Sequence, residues 1–213
     1  DRTRTEALTG LRDDAMVVTE PFSQWVSEDN FAGPRPAWEK HGALMTSNVH
    51  AYEEAKLRLL NGAHSALAYL GLKRGHEFVH QAIADPELAV LANTLMRDEA
   101  ATSLEPAPGQ DLNAYADALI ARFQNPALNH RLIQIAMDGS QKLPQRWLET
   151  LAANQRQGRE CPAILSAIAA WIVHLRGANG PVDDPRSAAL CAAARGANAA
   201  AALFGPGGLM ASA

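Results

Sequence analysis

The chain has 213 residues, of which 47% are hydrophobic, and a formal net charge of −4. A chain of this size can bury a substantial core, which predicts one globular domain or a domain with a small appendage. The scattered lysines and arginines give no basic surface for nucleic acid. No apolar run reaches the roughly 18 residues that a bilayer span requires, and the N-terminus has no signal-peptide core. We therefore expect no membrane contact and a cytoplasmic location.

The two cysteines give neither a disulfide framework nor a metal site. Cys161 and Cys191 are far apart in sequence and lack any metal-ligand spacing. We predict that both are ordinary buried thiols.

Hydrophobic periodicity predicts a mainly α fold, with at most a short strand or hairpin near the N-terminus. Residues 15–19 are the best strand candidate, and the Pro/Gly-rich residues 31–36 predict a connection. Asp85 and Asp111 are expected to cap helices, with Pro86 at a first helical position. Helices are expected at about 51–72, 76–84, 86–99, 112–123, from 125 onward, and at 143–154, 163–176 and 188–202.

The predicted helix at 51–72 carries a base, an amide and an imidazole. At about 100° per residue, Glu53, Lys56, His64 and Asn61 share one polar arc of roughly 140°. Lys56 lies where this arc meets the apolar stripe, and desolvation there disfavours the ammonium form, which suits a general base.

Gly62 stands in the middle of this helix, where glycine costs about 1 kcal/mol relative to alanine. The missing side chain lets another backbone, a cofactor ring or a substrate approach closely. The alternative is a helix that ends at Asn61 and restarts, with Lys56 solvated.

A second candidate site lies in DGSQKLPQR, residues 138–146. The Asp-Gly-Ser sequence predicts a sharp turn that presents Lys142 to an anion or a hydroxyl before Pro144 opens the next helix. The alternative is a helix connection with solvated basic residues.

A third pattern, HEFVH at residues 76–80, matches a zinc-binding sequence. His76 and His80 at i and i+4 would ligate the metal and Glu77 would act as the base. A peptidase also needs a third ligand, for which Glu99 and Glu105 are candidates. Such a short match also arises by chance, and Gly75 disfavours a rigid helix there.

Three motifs together resemble the mannitol dehydrogenase family, which includes fructuronate reductase, also called mannonate oxidoreductase. They are PFSQWVSEDNF (21–31), EEAKLRLLNGAH (53–64) and DGSQKLPQR (138–146). The resemblance implies the multi-helical C-terminal domain of a two-domain dehydrogenase, at residues 16–204. Residues 1–15 would be the remnant of an interdomain connection and 205–213 a flexible tail. The family's N-terminal Rossmann domain is expected to be missing, because no G-x-G-x-x-G follows a strand here.

The resemblance also implies a role for each polar residue. Lys56 matches the general base, Glu53 a proton relay to solvent, and Asn61 the amide that stabilises the developing alkoxide. His64 matches a residue that holds a substrate hydroxyl, and Lys142 matches the substrate-binding lysine. The implied cofactor is NAD or NADP, bound mainly by the missing domain and without a metal, so we expect the isolated fragment to be inactive.

The substrate stays open between a sugar alcohol or ketose and a hexuronate. Some mannitol dehydrogenases have an arginine eight residues before the substrate-binding lysine, where this chain has Gln134. A sugar acid would need another cation, for which Lys142, Arg131 and Arg146 are candidates. The alternative functions are a zinc metallopeptidase, through His76 and His80, and a non-catalytic helical interaction module.

Overall fold

A computed structural model describes residues 1–17 and 19–210. The fold is mainly helical, which confirms the predicted class. The α-helices are, in chain order, α1 (Arg2–Thr9), α2 (Val49–Ala55), α3 (Gly62–Lys73), α4 (Val79–Ala84), α5 (Pro86–Thr94), α6 (Leu112–Phe123), α7 (Leu132–Ile135), α8 (Gly139–Leu143), α9 (Glu149–Arg156), α10 (Pro162–Leu175), α11 (Ser187–Arg195) and α12 (Ala199–Phe204). Short 3-10 turns lie at Trp38–His41 and Ala101–Ser103.

Wider π-helical turns continue several of these helices. The first π segment (Lys56–Asn61) joins α2 to α3, the second (Leu95–Ala100) extends α5, and the third (Pro144–Leu148) joins α8 to α9. The helix carrying Lys56 is therefore continuous, and the alternative of a helix that ends at Asn61 is wrong. Because a π turn holds more residues than an α turn, the 100° wheel does not apply across the first π segment.

The two strands lie later in the chain than we predicted. β1 (Trp25–Glu28) and β2 (Ala43–Thr46) pair in parallel, with Trp25 opposite Ala43, so they do not form a hairpin. The strand predicted at 15–19 is wrong for residues 15–17 and 19, and Val18 lies outside the described residues. A short apolar run does not show whether a partner strand is available. β1 has β2 as its partner strand. Beside this pair, the ring centroids of Trp25 and Trp38 lie 5.3 Å apart.

The two predicted aspartate caps are confirmed. The Asp85 carboxylate accepts hydrogen bonds from the backbone N–H groups of Glu87 and Leu88, at 3.0 and 3.4 Å. The Asp111 carboxylate accepts from the second and third N–H groups of α6, both at 2.9 Å. Caps of this kind stabilise a helix by about 1 kcal/mol each.

The helix predicted from Asn125 is absent, since residues 125–130 form one turn and irregular backbone, and α7 starts only at Leu132. The Asn125 side chain accepts a hydrogen bond from the Ala127 N–H at 3.0 Å, which holds a turn instead of a helix. The next residues pair with an earlier segment, because the Val79 N–H donates to the His130 carbonyl oxygen and the Leu132 N–H to that of Glu77. This pairing places His130 beside α3.

α3 lies at the centre of the core and packs against α4, α7 and α10. Trp147, Trp171 and Tyr69 are among the largest fully buried side chains. Cys161 is buried as predicted, whereas Cys191 is only partly buried. In the part of the chain that the structure describes, none of the helices combines the length and apolarity needed to cross a bilayer.

Residues 205–210, which we expected to begin a flexible tail, fold back onto α12. The Leu209 N–H donates to the Ala202 carbonyl oxygen at 3.1 Å, and the Met210 N–H to that of Leu203 at 2.7 Å. The Met210 side chain is buried against the core. The last three residues, 211–213, lie outside the described residues.

We expect Gly139→Ala to destabilise the fold. A Cβ at Gly139 would lie 2.5 Å from Trp171 Nε1 and 2.7 Å from Tyr69 Oη, both of which belong to the buried core. Such overpacking costs about 1–3 kcal/mol. Chemical denaturation should show a lower midpoint with an unchanged slope. Gly33→Ala is the matched control, because nothing lies within 4 Å of that Cβ position, and equal midpoints for the two variants would contradict the prediction.

Candidate active site

Glu53 and Lys56 line one cavity of about 660 Å³ between the N-terminal segment and the helical body. Glu53 lies on α2 and Lys56 opens the first π segment. Other polar residues of the cavity wall are Thr19, Glu20, Gln24, Tyr52, Tyr115 and Arg122. Lys56, the predicted base, and Glu53, the predicted proton relay, thus line the same cavity.

Lys56 is exposed, so the burial that we predicted for it is wrong for the described structure. The wheel put Lys56 beside the apolar stripe by assuming an α-helix, but the π segment begins at this residue. Glu53 is exposed too, and its Oε2 lies 3.9 Å from Nδ1 of the exposed His50. This part of the site is open to solvent.

His64 lies in a smaller adjoining cavity of about 140 Å³. Its ring stacks on Phe123, with centroids 5.4 Å apart, and the His130 ring lies 5.8 Å away. The Nε2 atom is buried and has no hydrogen-bond partner among residues 1–17 and 19–210. Burial, followed by the charge of His130, lowers the pKa of His64 to about 3. The imidazole is therefore neutral near pH 7 and can donate one hydrogen bond and accept another.

Glu20 and Arg122 lie between the two cavities and line both of them. Arg122 Nη2 donates to Glu20 Oε1 at 2.6 Å, and Nε donates to Oε2 at 3.0 Å. The guanidinium also lies over the Phe22 ring, 3.9 Å from its centroid. These hydrogen bonds lower the pKa of Glu20 although burial opposes the shift. The pair ties the N-terminal segment to α6.

Sequence reasoning missed this pair. The two residues are 102 positions apart, so no local pattern connects them. One signal was available, because Glu20 stands directly before the 21–31 motif.

Gly62 lies against the backbone of the third π segment. A Cβ there would lie 3.4 Å from the Arg146 carbonyl oxygen, and Trp147 Nε1 donates to the Gly62 carbonyl oxygen at 3.1 Å. We predicted that another backbone, a cofactor ring or a substrate would approach this glycine, and in the structure another backbone does. Arg146 Nη1 donates to Ser65 Oγ at 2.6 Å and to the Asn61 carbonyl oxygen at 3.5 Å.

Lys142 is held by the turn that the Asp-Gly-Ser sequence predicts. Asp138 has a positive φ of 56°, and Ser140 N and Oγ both donate to the Asp184 carboxylate at 2.8 Å. Lys142 Nζ donates to the Met137 carbonyl oxygen at 2.6 Å. Burial, followed by the charge of Arg146, lowers the pKa of Lys142.

Pro144 does not open a new helix, because α8 begins at Gly139 and continues through it into the third π segment. Of the five predicted site residues, Glu53 and Lys56 share one cavity and His64 lines the adjoining one. Neither of these two cavities is lined by Asn61 or Lys142. Arg146, which lies one turn after Lys142, donates to the backbone carbonyl oxygen of Asn61.

The HEFVH residues do not fit a zinc site. α4 begins at Val79, so His76 precedes the helix and the two histidines do not share a helix face. His76 Nε2 lies 3.7 Å from Asp85 Oδ2, and the His80 ring stacks on Phe78.

The two candidates for a third zinc ligand do not complete the site either. The Glu99 carboxylate is buried and accepts hydrogen bonds from the backbone N–H groups of Ala163 and Ile164, at 2.6 and 2.8 Å. It therefore caps α10. Glu105 is exposed. Within the described ranges, no group of three His, Cys, Asp or Glu side chains is arranged to hold a metal ion.

Residues 48–203 match the family model described as the mannitol dehydrogenase C-terminal domain. The match covers all five predicted site residues and most of the helical body. The chain therefore belongs to the mannitol dehydrogenase family and contains its C-terminal domain.

Three known proteins illustrate the similarity. An uncharacterized oxidoreductase of Escherichia coli (strain K12) is 48% identical over 82% of this chain and 36% of its own length. D-mannonate oxidoreductase of the same organism is 42% identical over 95% of this chain and 43% of its own. The solved structure of Pseudomonas fluorescens mannitol 2-dehydrogenase, a ternary complex with NAD and D-mannitol, is 38% identical. Its TM-score is 0.80, over 92% of this chain and 41% of that one. This chain thus spans less than half the length of these relatives.

We expect the buried histidines to make the protein less stable in acid. Burial lowers the pKa of His64 to about 3 and also lowers that of His174. The unfolded chain, with a histidine pKa of about 6.5, then binds protons first, so the free energy of unfolding falls as pH drops from about 6.5 toward 3. Each group contributes at most about 1.4 kcal/mol per pH unit.

Denaturation midpoints measured across this pH range should show the loss. The His64→Gln variant should have a shallower acid dependence than the wild type. His41→Gln, at an exposed histidine, should retain the wild-type dependence. An unchanged slope in His64→Gln would contradict the assignment to His64.

Proposed function

We propose that this domain is the catalytic and substrate-binding half of a zinc-independent, NAD(P)-dependent oxidoreductase. The reaction interconverts the secondary alcohol of a polyol or aldonate and its ketone, as in mannitol and fructose or mannonate and fructuronate. The observation that carries the proposal is the shared cavity of Lys56 and Glu53, inside a domain that matches the mannitol dehydrogenase family.

Lys56 serves as the general base of the proposed reaction. It takes the hydroxyl proton as the adjacent C–H bond is oxidised, and it returns the proton during ketone reduction. Because the amine must be neutral to accept a proton, substrate and cofactor have to cover this exposed side chain and exclude water from it. Glu53 faces the same solvent-filled cavity and exchanges the proton between Lys56 and water.

Asn61 and His64 bind the substrate on either side of the reacting carbon. The Asn61 amide donates a hydrogen bond to the developing alkoxide, a contribution of about 3 kcal/mol for one donor. The neutral His64 holds a neighbouring hydroxyl, and its unpartnered Nε2 supports this role because a buried nitrogen without a partner is costly. Lys142 binds the substrate from the Asp-Gly-Ser turn.

When bound, the cofactor would accept a hydride from the alcohol carbon and return it to the ketone in the reverse reaction. The cavity beside Lys56, at about 660 Å³, fits a six-carbon substrate together with the nicotinamide end of a dinucleotide. The remainder of the dinucleotide would be held by an N-terminal Rossmann domain, since the described chain has no glycine-rich loop between a strand and a helix. We expect this domain alone to show no turnover.

The proposal is tested with the full-length protein. Oxidation of NADH and NADPH is followed spectroscopically with fructuronate, tagaturonate and fructose, with and without a chelator. Chelator-resistant reduction of one of these ketoses is expected. No reduction of any of them, or loss of activity on chelation, would refute the proposed activity or its independence from zinc.

We expect Lys56→Ala to lower kcat by roughly 100- to 10,000-fold, because a positioned general base contributes that much. Lys73→Ala is the matched control, since Lys73 is exposed at the end of the same continuous helix and lies outside the cavity wall. The measurement is kcat of both variants by steady-state kinetics. Wild-type turnover in Lys56→Ala would remove Lys56 from the mechanism.

We expect Asn61→Ala to lower kcat and kcat/KM together, by roughly 100- to 1,000-fold, because the lost donor acts on the transition state. The measurement is the same assay with saturating and limiting ketose. A rise in KM at unchanged kcat would show instead that Asn61 binds the ground state and the transition state equally.

A further inference from the structure

The Glu20–Arg122 pair lies where the two cavities of the proposed site meet. Lys56 lines the larger cavity of about 660 Å³, and His64 lines the smaller one of about 140 Å³. Glu20, Leu60 and Arg122 line both. A substrate that touches Lys56 and His64 at the same time therefore passes this shared wall.

The two charged side chains of the wall are held in place by several contacts. Arg122 Nη2 donates to Glu20 Oε1 at 2.6 Å, and Nε donates to Oε2 at 3.0 Å. The guanidinium also lies over the Phe22 ring, and the Arg122 and Glu20 side chains are only 24% and 13% exposed. Because they are ordered before a ligand binds, little side-chain entropy is lost when one does.

Both members of the pair retain hydrogen-bonding capacity. Among the described residues, the structure assigns the hydrogen bonds of the Arg122 side chain to Nε and Nη2, which leaves the two N–H groups of Nη1. Glu20 Oε2 accepts a single hydrogen bond, although a carboxylate oxygen can accept two. The wall thus offers free donors and a free acceptor close together.

The charges of the pair favour neutral ligands over anions. The hydrogen bonds from Arg122 lower the pKa of Glu20, so its carboxylate is ionised at neutral pH beside the guanidinium. An anion would gain little from a cation that is already paired, and it would be repelled by the carboxylate next to it. A hydroxyl group can donate to Glu20 or accept from Arg122 without that penalty.

The other polar residues of the two cavities each line one of them. Glu53 and Tyr115 line only the larger cavity, and His130 lines only the smaller one. Leu60 lines both cavities but has no polar side-chain atom. The polar side chains of the shared wall are therefore those of the pair.

We propose that Glu20 and Arg122 form a substrate-binding pair, which recognises hydroxyl groups on the polyhydroxylated carbon chain beside the reacting carbon. Arg122 donates to a hydroxyl oxygen through Nη1, and Glu20 accepts a hydrogen bond from a hydroxyl through Oε2. The inference rests on the proposed function and adds the contacts that fix the substrate chain between Lys56 and His64.

The test uses the full-length protein and the ketose that it reduces fastest among fructuronate, tagaturonate and fructose. Two analogues of this ketose each lack one hydroxyl, on the first or on the second carbon beyond the carbonyl in the longer arm of the chain. The measured quantity is kcat/KM for reduction of the parent and of both analogues. The enzymes compared are the wild type, Arg122→Met, Arg122→Lys and Glu20→Gln.

Arg97→Met is the matched control. Arg97 is also a partly buried arginine, paired with Asp117 at 2.6 Å, but it lines neither of the two cavities. Thermal denaturation shows which variants are folded. Arg122→Lys and Glu20→Gln are conservative changes that provide the test if Arg122→Met does not fold.

The wild type should lose roughly 10- to 100-fold in kcat/KM with at least one analogue, because a hydrogen bond to a charged group is removed. Arg122→Met should lose a similar factor with the parent ketose, yet it should reduce the parent and that analogue about equally. Arg122→Lys and Glu20→Gln, which keep a weaker donor or acceptor, should discriminate to an intermediate degree. Arg97→Met should retain the wild-type discrimination.

If every folded variant of the pair keeps the wild-type ratio between parent and analogue, the pair has a structural role and the inference is wrong. A wild type that is insensitive to both missing hydroxyls would overturn it as well. Either result leaves the proposed oxidoreductase function intact. That function fails separately, through a wild type that reduces none of the three ketoses or through a fully active Lys56→Ala variant.

Discussion

The crossing of the third π segment over the start of α3 is the contact on which the site depends. Trp147 is fully buried, and its indole N–H donates to the Gly62 carbonyl oxygen at 3.1 Å. A Cβ at Gly62 would lie 3.4 Å from the Arg146 carbonyl oxygen, at the edge of ordinary van der Waals contact. Because two backbones meet here, the segment carrying Arg146 lies directly against Asn61. Two residues 85 positions apart in sequence, Asn61 and Arg146, thus come into contact.

The paired hydrogen bonds between Glu20 and Arg122 organise the opposite side of the site. They attach the segment before β1 to α6, and they hold the wall between the Lys56 cavity and the His64 cavity. Both side chains are mostly buried, where a bidentate pair is stronger than an exposed one. The same pair gives Arg122 a counter-charge within this wall.

The residues proposed for the site lie in two chemically different surroundings. In one, Lys56 and Glu53 are exposed to solvent, which suits proton exchange. In the other, Lys142 and Arg146 are partly buried, and burial lowers the pKa of both side chains. Asn61 contacts the second of these groups through its backbone carbonyl oxygen, which accepts from Arg146.

The sequence by itself determined the helical class, the caps at Asp85 and Asp111, and the motifs that identify the family, because periodicity and capping depend on neighbouring residues. Tertiary structure decided the rest. The wheel failed at Lys56 because the stretch that begins there is a π segment and not an α-helix. The HEFVH histidines do not share a helix because residues 77–79 pair with 130–132. The strands needed a partner that no local run reveals. The pairing of Glu20 with Arg122 and the contact of Arg146 with Asn61 depend on how segments distant in sequence pack together.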